Sequence, residues 1–248
     1  MSNFNDFTIL LLITHVMGDF HLQSESLAKK KKYSIKYLLP HVVIHFVLLI
    51  IPLLISILNG MTKYGLISVT TVIISHYIMD YFKIKLNKQY KDKDKLLFII
   101  DQIVHISVIL LIGEILLKNT LGTVSIYYIS RNVLNWTLLL LLITKPANII
   151  FKISFRKYEL KKNDSKDEED LTVPGAGALI GSLERILSVI FLAINSISAI
   201  GLIYTAKSIA RFKQIELNRQ FAEYYLIGTL YSILYALVSY YLVIVLEV

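Results

Sequence analysis

Seven stretches of this chain are apolar over about the length of a bilayer, near residues 6–23, 38–58, 64–82, 96–117, 132–151, 177–204 and 222–246. A helix in hydrocarbon needs roughly 20 mostly apolar residues, because its backbone amides must find their partners within the segment. The expected fold is therefore all-α: a polytopic integral membrane protein with about seven transmembrane helices. Composition agrees, since 55% of the 248 residues are hydrophobic, 18% are charged and mean hydropathy is +0.61. An ordinary water-soluble domain is less apolar than this. The first stretch is the least apolar, being interrupted by His15, Asp19 and His21. No basic region precedes it as a signal peptide would require, so it reads as a retained helix.

Lys and Arg number 26 against 18 Asp and Glu, a formal net charge of +8. The bases do not form one patch. They fall into short clusters between apolar runs, as at Lys29–Lys32, Lys83–Lys95 and Lys152–Lys166. That pattern fits loops facing the cytoplasm rather than a nucleic-acid surface. The expected partner is the lipid bilayer, with no nucleic acid, and the expected location is a cell membrane, in a bacterium the cytoplasmic one. The loops carrying Lys29 to Lys36 and Lys83 to Lys95 should be cytoplasmic and the N-terminus outside.

The mixed-charge run Lys161–Asp170 lacks apolar periodicity and reads as a linker. It divides the chain into a bundle at 1–151, a charged segment at 152–173 and a C-terminal membrane part at 174–248. In that last part Lys207, Arg211, Lys213 and Arg219 fall where strict alternation places an outer loop. Either this loop is an exception, or residues 174–206 form a broken or re-entrant element that keeps it cytoplasmic. Pro174 suits a helix first turn. Gly177 and Gly181 offer a small-xxx-small face for another helix, or are simply glycines of the kind common in membrane helices.

The chain has no cysteine, so disulfides, thiolate nucleophiles and Cys-ligated metal sites are excluded. A metal must use His and carboxylate. All six histidines precede residue 106, and five stand four residues from another His or an Asp: His15 with Asp19, His41 with His45, His76 with Asp80, and Asp101 with His105. A four-residue step puts both side chains on one helical face, about 6 Å apart along the axis, within reach of one ion. The pattern also repeats: moving from His15, Asp19, His41 and His45 to His76, Asp80, Asp101 and His105 takes steps of 61, 61, 60 and 60 residues. Two hairpins of similar design follow. Counted from the lysine-rich loops, all four pairs sit within about 15 Å of the cytoplasmic helix ends.

Asp at the centre of a spanning helix costs roughly 2.5–3.5 kcal/mol, so intramembrane ionisable groups face a partner, a cavity or a metal. A lone His-xxx-His is more often an interhelical hydrogen-bonding pair, but four such pairs at one depth point to metal. Eight ligands suit two divalent ions, zinc first, with manganese and iron also compatible. The metal set is His15, Asp19, His41, His45, His76, Asp80, Asp101 and His105. One of Asp19, Asp80 or Asp101 would instead serve catalysis by taking a proton. His21 lies outside the pattern, near a helix end. Gln23 and Gln102 are candidate donors to the ligands or simply exposed amides, and Glu114 reads as a solvated carboxylate.

In the second half, Glu184, Arg185, Lys207 and Arg211 are candidates for binding a phosphate or carboxylate head group of a substrate. The competing reading is snorkelling bases and an internal Glu–Arg pair. No Gly-rich phosphate loop, His-Glu-xx-His run or Gly-x-Ser-x-Gly elbow is present.

The strings His15-Val-Met-Gly-Asp19-Phe20-His-Leu-Gln23, His41-xxx-His45, His76-xxx-Asp80 and Asp101-Gln102-xx-His105 resemble an uncharacterised bacterial membrane family, domain of unknown function 3307. The resemblance extends to Leu183-Glu184-Arg185, Ala206 to Phe212 and Glu223-Tyr224-Tyr225. It implies no activity. More loosely, His- and Asp-bearing helices are similar to those of membrane-bound metal-dependent hydrolases. The expectation is a di-metal hydrolase at the cytoplasmic leaflet acting on a lipid-linked or membrane-borne substrate. The alternative is a metal-ion or proton-coupled transporter, with an iron oxidoreductase and a structural metal scaffold behind it.

Overall fold

The computed structural model describes residues 5–119, 129–159, 173 and 175–246, all of them helix, turn or irregular chain without a strand. The run Lys161–Asp170 and Pro174 lie outside the described residues. Six helical stretches are long and apolar enough to cross a membrane: Ile35–Leu58, Thr62–Gln89, Asp94–Ile115, Arg131–Tyr158, Ala176–Ala193 and Arg219–Val245. This is a multi-pass membrane design, with the chain forming two compact units, one of residues 1–141 with the last three residues, the other of 142–245.

In the first unit, α1 (Asp6–Val16) continues as a π-helical turn over Met17–His21. Eleven α-helical and five π-helical residues fall short of the roughly 20 a span needs, so the first apolar stretch is not among the six long helices. Every residue of α1 is buried, as expected of a helix that is apolar all round. It forms the axis of a bundle whose walls include α3 (Leu38–Leu58), α4 (Thr62–Gln89) and α5 (Asp94–Asn119). The π turn is followed by the short α2 (Glu25–Lys31), which has no buried residue and is capped by Ser24 accepting from Leu27 N at 3.2 Å. The hairpin between α3 and α4 is closed by Gly60 at φ 72°, which lets Met61 N donate back to Ser56 O at 2.8 Å, a helix ending that needs a left-handed residue. A sixth helix, α6 (Arg131–Leu142), is tied to the start of α1 by an Arg131–Asp6 ion pair at 3.1 Å.

The wall helices are inside out relative to those of a soluble protein. On α3, the buried residues include His41, His45 and Ser56, while Leu39, Val43, Phe46, Val47, Ile50, Ile51 and Leu54 are exposed. On α4, Ser68, His76, Asp80 and Asn87 are buried while Leu66, Ile67, Ile74 and Ile78 are exposed. In water such faces would be an aggregation liability; against lipid tails they carry no penalty.

The second unit holds α7 (Lys145–Phe155), α8 (Ala176–Ala193), α9 (Ile197–Ala210), α10 (Phe212–Leu217) and α11 (Arg219–Tyr240), which ends in a π turn, Tyr241–Val245. The stretch expected as one helix over 132–151 is divided by a turn before Pro146, a residue that stands in the first turn of α7. The stretch expected over 177–204 is also two helices. Asn195 at φ 56° ends α8, with Ser196 N donating to Phe191 O at 2.7 Å, and α9 folds back along α8. Ser188 meets Tyr204 at 3.4 Å and Glu184 meets Lys207 at 2.8 Å, a register that only an antiparallel hairpin gives. The base-rich connection after α9 therefore returns to the end at which α8 begins. The stretch is thus broken into two antiparallel helices, of which Ala176–Ala193 is long enough to cross a membrane and Ile197–Ala210 is shorter.

Candidate metal centre

The eight His and Asp side chains of the four helical pairs are brought to one depth of the first unit, against the lysine-rich helix ends. Seven of them fall into three overlapping groups whose ligand atoms lie within 4.8 Å of one another: Asp19 with His41, His45 and His76; His15 with Asp19 and His105; and His76 with Asp80 and His105. Asp101 joins none of these groups, a departure from the eight-ligand expectation. Its side chain faces Lys83 of α4, which donates to Asp101 Oδ2, and its Oδ1 stands 3.7 Å from His105 Nδ1.

Asp19 is the hub. Its Oδ1 lies 3.0 Å from His45 Nε2, 3.2 Å from His41 Nε2 and 3.6 Å from His76 Nε2. Its Oδ2 faces the other way, toward His15 Nε2 at 3.8 Å, and accepts from Gln102 Nε2 at 2.9 Å. Asp80 Oδ2 lies 3.2 Å from His41 Nε2 and 3.5 Å from His76 Nε2, and accepts from Lys31 Nζ at 2.9 Å. His41 Nε2 and His76 Nε2 are 2.9 Å apart. Such a contact is a hydrogen bond if one ring carries the proton there, and a pair of ligands if both lone pairs face an ion.

These separations fit a metal shell. N and O donors at 2.0–2.1 Å from a tetrahedral zinc stand about 3.3 Å apart, and the Asp19, His41, His45, His76 and Asp80 contacts run from 2.9 to 3.6 Å. A second observation points the same way. His15 Nε2, His41 Nδ1, both ring nitrogens of His105 and Asp101 Oδ1 are buried without a hydrogen-bond partner. Buried polar atoms are nearly always paired, so four orphaned imidazole nitrogens in one cluster call for an electrophile.

Local backbone makes the convergence fit. His15 and Asp19 are not related by a plain α-helical step, because the π turn over Met17–His21 widens the helix at Asp19; such insertions often mark functional sites. Gly18 sits inside that turn, and a Cβ there would stand 2.4 Å from His45 Cε1 and 2.6 Å from Nε2. The ring of α3 lies directly on the backbone of α1. A close approach also fixes the far end of the bundle, where Gly113 of α5 lies against Thr8 and Gly113 O accepts from Asn5 Nδ2 at 3.3 Å.

On the side away from the lysines the cluster meets a layer of aliphatic side chains. Leu11, Leu48, Leu49, Val72 and Ile109, each about one turn from a cluster His, are all buried, and Ser56, Ser68 and Thr8 are buried beyond them. On the lysine side stand Lys31 and Lys83, 12% and 22% exposed. Beside them Lys32 pairs with Asp94; burial works against the Lys32 ammonium, yet the hydrogen bonds to Asp94 and Tyr33 and the charge of Asp94 together outweigh it and hold the pKa above the ordinary lysine value.

The remaining candidates lie elsewhere. His21 Nε2 contacts Leu141 O at 3.1 Å. Gln102 touches both Asp19 and Asp101, with 3.2 Å to the latter, whereas Gln23 Nε2 is buried without a partner. In the second unit Glu184 pairs with Lys207, not with Arg185. Arg185, 2% exposed, donates to Ile143 O, to Ser232 Oγ at 3.0 Å and to Asn148 Oδ1 at 2.6 Å. Arg211 donates to Gln214 Oε1 at 2.8 Å. Gly181 faces Arg185 and Asn148, while a Cβ at Gly177 would meet nothing within 4 Å. Gly18, Lys31 and Lys83 are site residues that the sequence does not single out; Lys31 and Lys83 read there only as loop charge.

A family model described as a protein of unknown function, DUF3307, matches residues 7–134, the segment that carries the whole cluster. No curated protein and no solved structure matches the chain.

Proposed function

The chain belongs to the DUF3307 family of proteins of unknown function, and we propose that it is a membrane-embedded hydrolase dependent on two divalent ions, zinc first. It acts at the cytoplasmic leaflet of a bacterial cytoplasmic membrane, on a lipid-linked or otherwise membrane-borne substrate. The observation that carries this reading is Asp19, whose two oxygens face two different sets of imidazoles. A carboxylate so placed could hold two ions, as paired ions are held in hydrolytic sites.

His41, His45 and His76 would hold one ion with Asp19 Oδ1. His15 and His105 would hold the other with Asp19 Oδ2, and Asp80 lies within reach of His76 and His105. When bound, such ions make a coordinated water acidic enough to ionise near neutral pH and polarise the bond to be broken. The chain's own residues do the rest. Gln102 fixes the orientation of Asp19 through Oδ2, and Lys31 fixes Asp80. Asp101, outside the ligand groups, has an Oδ1 without a hydrogen-bond partner and would take the proton.

The apolar layer of Leu11, Leu48, Leu49, Val72 and Ile109 supports hydrolysis over transport, because a transport route needs polar groups on both sides of the ion site. Metal analysis of purified protein tests the reading. Two ions per chain are expected, with His45→Ala and His105→Ala each losing stoichiometry and the wild type turning over membrane lipid extracts without moving metal across proteoliposomes. Full metal retention in both variants refutes it.

A further inference from the structure

Counting charges at the cluster constrains what the site accepts. With neutral imidazoles, three carboxylates (Asp19, Asp80, Asp101) face two ammonium groups (Lys31, Lys83), leaving one negative charge. Two divalent ions turn that into three positive charges. In a buried pocket an uncompensated excess of this size is unfavourable, and a neutral amide or ester would leave it untouched. The two ammonium groups also come from separate elements, Lys31 from the end of α2 and Lys83 from α4, on the one side of the cluster that the apolar layer does not fill. Each has three N–H donors and uses one on a carboxylate here. The ionised water of the proposed hydrolysis would take one of the three charges; a tetrahedral anion of two charges and several oxygens takes the other two and meets the free N–H groups, whereas a carboxylate, with one charge, does not.

We infer that the substrate is a phosphoryl ester, its phosphate oxygens held by Lys31 and Lys83 above the metal ligands. The inference rests on the two-ion reading. Hydrolysis then replaces the P–O bond to the leaving group with a P–O bond to the water oxygen. One water proton passes to Asp101 Oδ1 and on to the leaving oxygen, so that free phosphate and an alcohol result. Lys31 and Lys83 act as positioning residues and bear on phosphate affinity rather than on the ions themselves.

The test uses full-length protein in phosphatidylcholine nanodiscs, loaded with zinc and checked for metal content. Inorganic phosphate is titrated calorimetrically, with acetate as the singly charged control. Wild type is expected to bind phosphate, with acetate competing poorly. Lys31→Met and Lys83→Met are expected to weaken phosphate binding at least tenfold each while keeping both ions. Lys31→Arg and Lys83→Arg, which keep the charge, guard against misfolding and should retain most of the affinity. Competition by phosphatidate added to the nanodiscs marks a lipid source for the phosphate; its absence alongside phosphate binding marks a soluble one. A protein that holds two ions but binds neither probe overturns the inference and leaves the metal reading standing, as does unaltered phosphate binding in the double Met variant. Equal competition by acetate overturns it in favour of a carboxylate substrate. A wild type that binds no metal removes both.

Discussion

Substituting Gly18 by Ala tests whether His45 is a ligand, because the new Cβ meets the His45 ring directly. In a helical turn, replacing Gly with Ala ordinarily gains about 0.5–1 kcal/mol by restricting the unfolded chain. Here the new Cβ would stand 2.4 Å from His45 Cε1, against 3.4–4 Å for ordinary contact, so the ring must retreat by about 1 Å or more. It has nowhere free to go: its centroid is 3.9 Å from that of His76 and 4.7 Å from that of His41. Ligand distances tolerate about 0.2 Å. The displaced ring therefore leaves the shell, and affinity at the Asp19, His41, His45, His76 group should fall by roughly 10–100-fold, about 1.4–2.7 kcal/mol. Competition with a fluorescent zinc chelator measures this, with thermal unfolding of the apo protein in detergent run in parallel. Gly177→Ala, whose Cβ meets nothing within 4 Å, is the matched control and should leave metal binding unchanged. Wild-type zinc affinity in Gly18→Ala would show that His45 is not a ligand.

Two further outcomes concern the second unit. Arg185→Met should lower unfolding stability by about 3 kcal/mol, the order for leaving buried acceptors without a charged donor, because it strips partners from Ile143 O, Asn148 Oδ1 and Ser232. Bound metal should be unaffected, and metal loss without a stability change would contradict the structural role given to this residue. Since the chain lacks cysteine, single-cysteine labelling is clean. Cysteines at Lys157 and Lys213 should react with an impermeant maleimide from the same face of a sealed vesicle, as the α8–α9 hairpin requires, and labelling from opposite faces would refute that hairpin.

The polar interior of the bundle was legible in the sequence because the four-residue spacing and the distance from the lysine-rich loops fix both face and depth. Their meeting around Asp19 follows from those two quantities. Other features depend on contacts between distant positions. Nothing in the string His15-Val-Met-Gly-Asp19 tells that the glycine lies under a ring 27 residues later. Lys31 looks like any loop lysine until α2 turns it onto Asp80. The pairing of Asp101 with Lys83 was open to a helical-register argument, since a cation stands three residues after Asp80, yet the metal pattern competed for the same carboxylate. Signals for the broken helices were present: Asn195-Ser196 inside an apolar run, and Lys145-Pro146 inside another, are turn and breaker residues that long hydrophobic stretches mask. The shortness of α1 has no such signal; His15, Asp19 and His21 mark polarity, not the point where a span would end.

The complete enclosure of α1 sets an order of assembly. This helix leaves the ribosome before any of the walls that surround it, yet at about 24 Å including its π turn it is too short to anchor alone in roughly 30 Å of hydrocarbon. It also bears His15 and Asp19, which lipid would reject without partners. A helix that precedes α3, α4 and α5 yet depends on them for its burial can settle only once they are in place, and the ion-binding chemistry comes into being with that step.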